Sequence, residues 1–131
     1  MNAVIYARFS PRPDASESES LDVQIARCQA YCKMMNFTIT ATFLDPEVSA
    51  RKIPLNDREA GRTMIEYIRA NKIEHLIVVR LDRIFRSSLD GHSMMALFKS
   101  LTCNLHFADQ NACSLKTGSA VGAMLFTVLL A

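Results

Sequence analysis

Residues 75–79, HLIVV, form a short uninterrupted apolar run, and that run narrows what the rest of the chain can build. A strand with one wet face alternates apolar and polar side chains. A strand with neither face wet sits in the middle of a sheet with layers packed on both sides. Three further stretches read as strands: AVIYARF at 3–9, the β-branched and aromatic FTITATFLD at 37–45, and NLHFAD at 104–109. Helical spacing fills the gaps. Ser20 is placed to cap a helix over 21–36, with Leu21, Ile25, Cys28, Cys32 and Met35 on one stripe. Asn56 followed by Glu59 has the form of a capping box for a helix ending near residue 71, with Met64, Ile65 and Ile68 facing inward. A third helix, about 88–101, carries Met94, Leu97, Phe98 and Leu101, and a last one begins near Gly118. This order predicts an α/β fold: a three-layer sandwich around a largely parallel central sheet of four to five strands.

The chain has 131 residues, half of them hydrophobic, which suits one domain with a real core. Polar loops interrupt it, notably PRPDASESES at 11–20, but no internal repeat or second domain is evident. The net charge of +2 neither demands nor excludes a nucleic-acid partner, so local clustering must decide. Cysteines 28, 32, 103 and 113 show no CxxC spacing and read as buried thiols, with no metal or cofactor expected. Reduced thiols and the lack of a cleavable apolar leader point to the cytoplasm. At the far end, SAVGAMLFTVLLA carries no charge over 13 residues. That is shorter than the roughly 20 residues of a membrane span. A helix apolar on nearly every side is normally buried, so the expectation is an element that continues in a longer protein or packs on a partner. An amphipathic core helix is the plainer alternative.

Parallel α/β sheets gather their sites at the carboxyl ends of the strands. On the first strand Tyr6, Arg8 and Ser10 line one side, opposite Ile5, Ala7 and Phe9. After the third come Arg80, Asp82, Arg83 and Arg86, and Arg58 lies at the start of the 57–71 helix. Arginines 8, 58, 83 and 86 converging near one serine hydroxyl would repel one another unless an anion held them. Guanidinium groups bind phosphate bidentately. A serine among them suggests attack on a phosphodiester, with the arginines stabilising the non-bridging oxygens. A solvated RLDRIFR turn with a local ion pair is the ordinary alternative. His75, His92 and His106 read as structural, since nothing pairs one of them with Ser10.

Taken in order, YARFS, SLDVQ, DRE, RLDRIFRS and GSAVGAMLFTVLLA resemble the catalytic domain of the serine site-specific recombinases, the resolvase and invertase family. The resemblance implies a resolvase-like catalytic domain over 1–117. Residues 118–131 would begin a long C-terminal oligomerisation helix, with Met124, Leu125, Val128 and Leu129 at its interface. It implies that Ser10 attacks a DNA phosphodiester, becomes joined to the 5′-phosphate and releases a 3′-hydroxyl. Strands are then exchanged and religated without metal or ATP. Arg8, Arg83 and Arg86 would hold the scissile phosphate together with Arg58, while Tyr6 and Gln24 support the site. Asp82 would either protonate the leaving oxygen or orient the arginines, which themselves favour its ionised form. The base for Ser10 is not identified. Implied partners are double-stranded DNA and further copies of the chain, a dimer and a tetramer in synapsis, with no membrane or small-molecule substrate. Pro11 stands where a threonine is usual, and the loop from Ser10 to Gln24 resembles the longer loops of the large serine recombinases. A second reading is a truncated, catalytically silent recombinase that oligomerises with and regulates intact partners. A third is a small phosphate hydrolase on a flavodoxin-like sheet.

Overall fold

The computed structural model describes residues 1–9, 21–46, 59–79, 88–108 and 113–115. Five strands form one sheet: β1 (Asn2–Phe9), β2 (Thr38–Pro46), β3 (His75–Val78), β4 (Asn104–Phe107) and β5 (Cys113–Leu115). Their order is β2-β1-β3-β4-β5. The pairings among β1 to β4 are parallel, and β5 runs antiparallel to β4. Three helices connect the parallel strands: α1 (Leu21–Met35), α2 (Glu59–Asn71) and α3 (Ser88–Ser100).

Two apolar compartments hold the layers together. On one face Met64, Ile65 and Ile68 of α2 and Met94, Met95 and Phe98 of α3 pack on Val4, Tyr6, Leu76, Val78, Leu105 and Phe107. On the other, Cys28, Tyr31 and Cys32 of α1 cover Ala3, Ile5, Ile77 and Val79. The four residues of β3 are all buried, as the apolar run at 75–79 requires of a central strand. The sandwich is therefore three-layered.

The inward face of α1 departs from expectation. Gln24, Cys28, Tyr31 and Cys32 are its buried residues, while Met35 is exposed and Leu21 and Ile25 are half-buried. A stripe of apolar residues loses to one containing Gln24 and Tyr31 because both polar side chains find hydrogen-bond partners inside. β5 adds a fifth strand of three residues, too short to give an alternating signal in the sequence.

The three helices among the described residues end alike. Asn36, Lys72 and Thr102 take positive φ of 61°, 51° and 55°. The next amide in each case returns to the carbonyl five residues earlier: Phe37 to Cys32, Ile73 to Ile68 and Cys103 to Phe98, at 2.9–3.1 Å. This is the Schellman arrangement, and the residue making the returning bond tucks into the core beside the helix it ends. A strand begins within two residues each time, so the caps aim the chain back into the sheet. No helix among the described residues is long and apolar enough to cross a membrane.

Candidate active site

Arg8 lies one residue before the end of β1 and is only 2% exposed. A guanidinium in such a place needs the polar groups around it to be fixed. Its peptide is held from α1. The Arg8 N–H donates to Gln24 Oε1 at 3.4 Å, and Gln24 Nε2 donates to the Arg8 carbonyl at 3.0 Å. One side-chain amide thus grips both polar atoms of a single residue. Gln24 is itself fully buried in the first turn and a half of α1, so the start of that helix and the end of β1 form one unit.

A second junction ties in α2. Tyr6, two residues before Arg8 on the same face, donates its hydroxyl to Asp45 Oδ2 at 2.7 Å. Asp45 is 3% exposed and stands beside Arg8 in the β1–β2 register. It also accepts the amides of Ala60 (Oδ1, 2.9 Å) and Gly61 (Oδ2, 3.1 Å). These belong to the first turn of α2, whose amides have no partner within the helix and carry the positive end of its dipole. A carboxylate from a neighbouring strand therefore caps α2 and pins it to β1. Asn56, the cap expected from sequence, lies outside the described residues. Beside this junction a cleft of about 490 Å³ opens between β2 and the start of α2, lined by Phe43, Asp45, Glu59 and Thr63 among others.

Of the residues singled out from sequence, the fold brings Tyr6, Arg8 and Gln24 together at the carboxyl ends of β1 and β2. Ser10, Arg58, Asp82, Arg83 and Arg86 lie outside the described residues, as do Met124, Leu125, Val128 and Leu129. Their neighbours in the chain are placed: Ser10 follows the last residue of β1, and Arg58 precedes the first residue of α2. Asp45 was not singled out. Its signal is an acid closing an otherwise apolar, β-branched strand at the edge where the other site residues gather.

The histidines stand apart. His75 opens β3 in register with Ala3, five residues before Arg8, so it sits at the amino-terminal edge of the sheet. Its Nδ1 lies 2.9 Å from His106 Nε2, and His106 Nδ1 lies 2.8 Å from the Tyr31 hydroxyl. Burial, and secondarily His75, push His106 down to about 4. Burial also lowers His75, with the Met1 amino group adding to the effect and Glu74 opposing it. The His92 side chain lies outside the described residues. Cys28, Cys32 and Cys103 are buried thiols, and burial pushes Cys32 up to about 11 and Cys103 to about 12, away from thiolate chemistry. Among the described residues no three His, Cys, Asp or Glu side chains converge as metal ligands.

Comparison with known proteins adds a family to this geometry. The chain matches the model of the resolvase N-terminal domain over residues 3–131. No curated protein matches it in sequence. Among solved structures it is similar to the N-terminal catalytic domain of TP901-1 integrase, at 25% identity and TM-score 0.77, covering 98% of this chain and 91% of that one. It is similar in fold to a resolvase family site-specific recombinase from Streptococcus pneumoniae, at 17% identity and TM-score 0.73, covering 98% and 84%. The C-terminal catalytic domain of ISC1926 TnpA, an IS607-like serine recombinase, shares the fold at 17% identity and TM-score 0.65, covering 82% and 69%.

Proposed function

The chain belongs to the resolvase family, a serine recombinase catalytic domain by its match over residues 3–131, and from that premise we propose that it breaks and rejoins duplex DNA through Ser10. The Ser10 oxygen attacks a backbone phosphorus. The P–Oγ bond forms as the bond to the 3′-oxygen breaks, the serine proton is lost and the leaving oxygen gains one. Rejoining is the same step in reverse, with the 3′-hydroxyl of an exchanged strand attacking the phosphoserine. The number of phosphoester bonds is unchanged, so ATP does not have to supply energy, and the arginines supply the charge stabilisation for which a metal would otherwise serve.

Arg8, Arg58, Arg83 and Arg86 stabilise charge on the non-bridging oxygens as it builds in the transition state. Asp82 orients and partly neutralises them, the role its ionised form suits. The observation that carries this reading is the grip of Gln24 on the Arg8 peptide, which holds a buried cation at the end of the strand that runs into Ser10. The Tyr6–Asp45–α2 junction supports it by fixing the helix that begins one residue after Arg58. Partners in the reaction are duplex DNA in the cytoplasm and further copies of the chain, which assemble through Met124, Leu125, Val128 and Leu129 of 118–131.

The test is to incubate the protein as encoded with duplex fragments from the DNA flanking its gene and quench with denaturant. A covalent protein–DNA species is expected, and Ser10→Ala should abolish it without moving the thermal midpoint. Strand breakage that persists in Ser10→Ala would refute the proposal.

A further inference from the structure

Tyr31, His106, His75 and Met1 form a continuous chain of polar contacts through an otherwise apolar compartment, and its proton order can be worked out. His75 Nε2 lies 3.3 Å from Met1 Sδ. A thioether sulfur only accepts, so His75 carries its proton on Nε2. Its Nδ1 then accepts from His106 Nε2–H at 2.9 Å, leaving His106 Nδ1 to accept from the Tyr31 hydroxyl at 2.8 Å. Phe37 stacks on His75 at 4.1 Å and meets His106 edge-on, closing the rings from water. The array links α1 to β3 and β4. Tyr31 and Gln24 sit on the same buried stripe of α1, seven residues apart, which is about 10 Å along the axis.

We infer that Tyr31, His106 and His75 are an acid-sensitive latch that holds α1 on the sheet, and with it the Gln24 grip on Arg8. One added proton reverses both links: His75 donates from both nitrogens, His106 donates to the Tyr31 oxygen, and the Tyr31 hydroxyl hydrogen loses its His106 acceptor. It also leaves a full charge on buried rings packed against Phe37. A second proton sets two imidazoliums N–H to N–H, their ring centroids 4.9 Å apart. The downward displacement of both histidines from their ordinary value agrees with this resistance to protonation.

Most of the groups facing the latch among the described residues carry no charge. From α1 come Tyr31 itself and the thiols of Cys28 and Cys32, and β1 offers Ala3 and Ile5, neither of which titrates. Glu74, preceding β3, favours the proton and the Met1 amino group opposes it. β4 supplies His106. The consequence for DNA cleavage rests on the function proposed above; the latch itself does not.

Nitrogen-15 NMR of the full chain tests it, following the imidazole nitrogens and the protection factor of the Arg8 amide while the pH is lowered from neutrality. At neutral pH both rings should show the Nε2–H tautomer. On acidification they should titrate well below the ordinary histidine range, and Arg8 protection should fall at least tenfold with the same midpoint. His106→Gln, which removes one of the two titrating rings, should make Arg8 protection much less sensitive to pH over that range. Tyr31→Phe should lower it at every pH, and this variant with the unaltered chain decides the matter if His106→Gln fails to fold. Rings that titrate in the ordinary range, or Arg8 protection indifferent to their titration, would overturn the latch. A latch that behaves as expected in a protein forming no DNA adduct would support this inference and count against the proposed function alone.

Discussion

Arg8 and Asp45 stand side by side at the ends of two strands, and they differ in how much of each could be read from sequence. Arg8 was legible because a strand's two-residue period puts it on the same side as Tyr6 within one short stretch. Asp45 was not, because its partners Tyr6, Ala60 and Gly61 are 39, 15 and 16 residues away and meet it only once the sheet has formed. His75 and His106, read as structural for want of a partner motif, are buried at the opposite edge of the sheet, and their pairing across β3 and β4 depends on a register that no local pattern encodes. Their burial has a thermodynamic consequence. In the unfolded chain His106 binds a proton near its ordinary value of 6.5, whereas in the folded chain it does so only near about 4. Between those values the unfolded state holds more protons, so stability is full above the upper value and falls as the pH drops towards the lower one. The loss is on the order of 3 kcal/mol across that window. Urea denaturation at a series of pH values should show this decline for the unaltered chain and a much flatter curve for His106→Gln.

At the level of elements, strand and helix alternation was readable from β1 to β4, and the interior side of α2 matched the sequence pattern at Met64, Ile65 and Ile68. The α1 face was misassigned because apolar periodicity cannot anticipate that Gln24 and Tyr31 would be satisfied inside by β1 and β4. Helix ends were legible to within a residue, but their left-handed caps were not. A glycine is the usual sign of a left-handed cap, and none of Asn36, Lys72 and Thr102 supplies it. Thr102 is the most strained of the three, since a β-branched side chain fits poorly at its φ of 55°. Thr102 is also exposed, so substitution there disturbs no packing. Relief of that strain, less the added freedom of glycine in the unfolded chain, is worth about 0.5–1 kcal/mol. Thr102→Gly should therefore raise the thermal midpoint by about 2–4 °C in calorimetry. An unchanged or lower midpoint would show that the cap carries no strain.

For the whole molecule, the sheet order β2-β1-β3-β4-β5 puts the ends of β1 and β2 next to each other and lets α1 and α2 reach them from opposite faces. That convergence is why a buried arginine, a gripping amide and a capping carboxylate meet at one edge. The match over residues 3–131 and the 25% identity to an integrase catalytic domain agree with a shared architecture built on this edge. The family likeness was readable from short stretches of sequence; the way Gln24 and Asp45 brace the site was not, since both act through backbone atoms of other elements. The most direct test is mass spectrometry of the peptide that carries DNA after the cleavage reaction is trapped. The account requires a single modified residue, Ser10, bearing a 5′-phosphate-linked nucleotide, with a free hydroxyl on the opposing 3′ end. A nucleotide attached to any other residue, or a 3′-phosphate linkage, would contradict it.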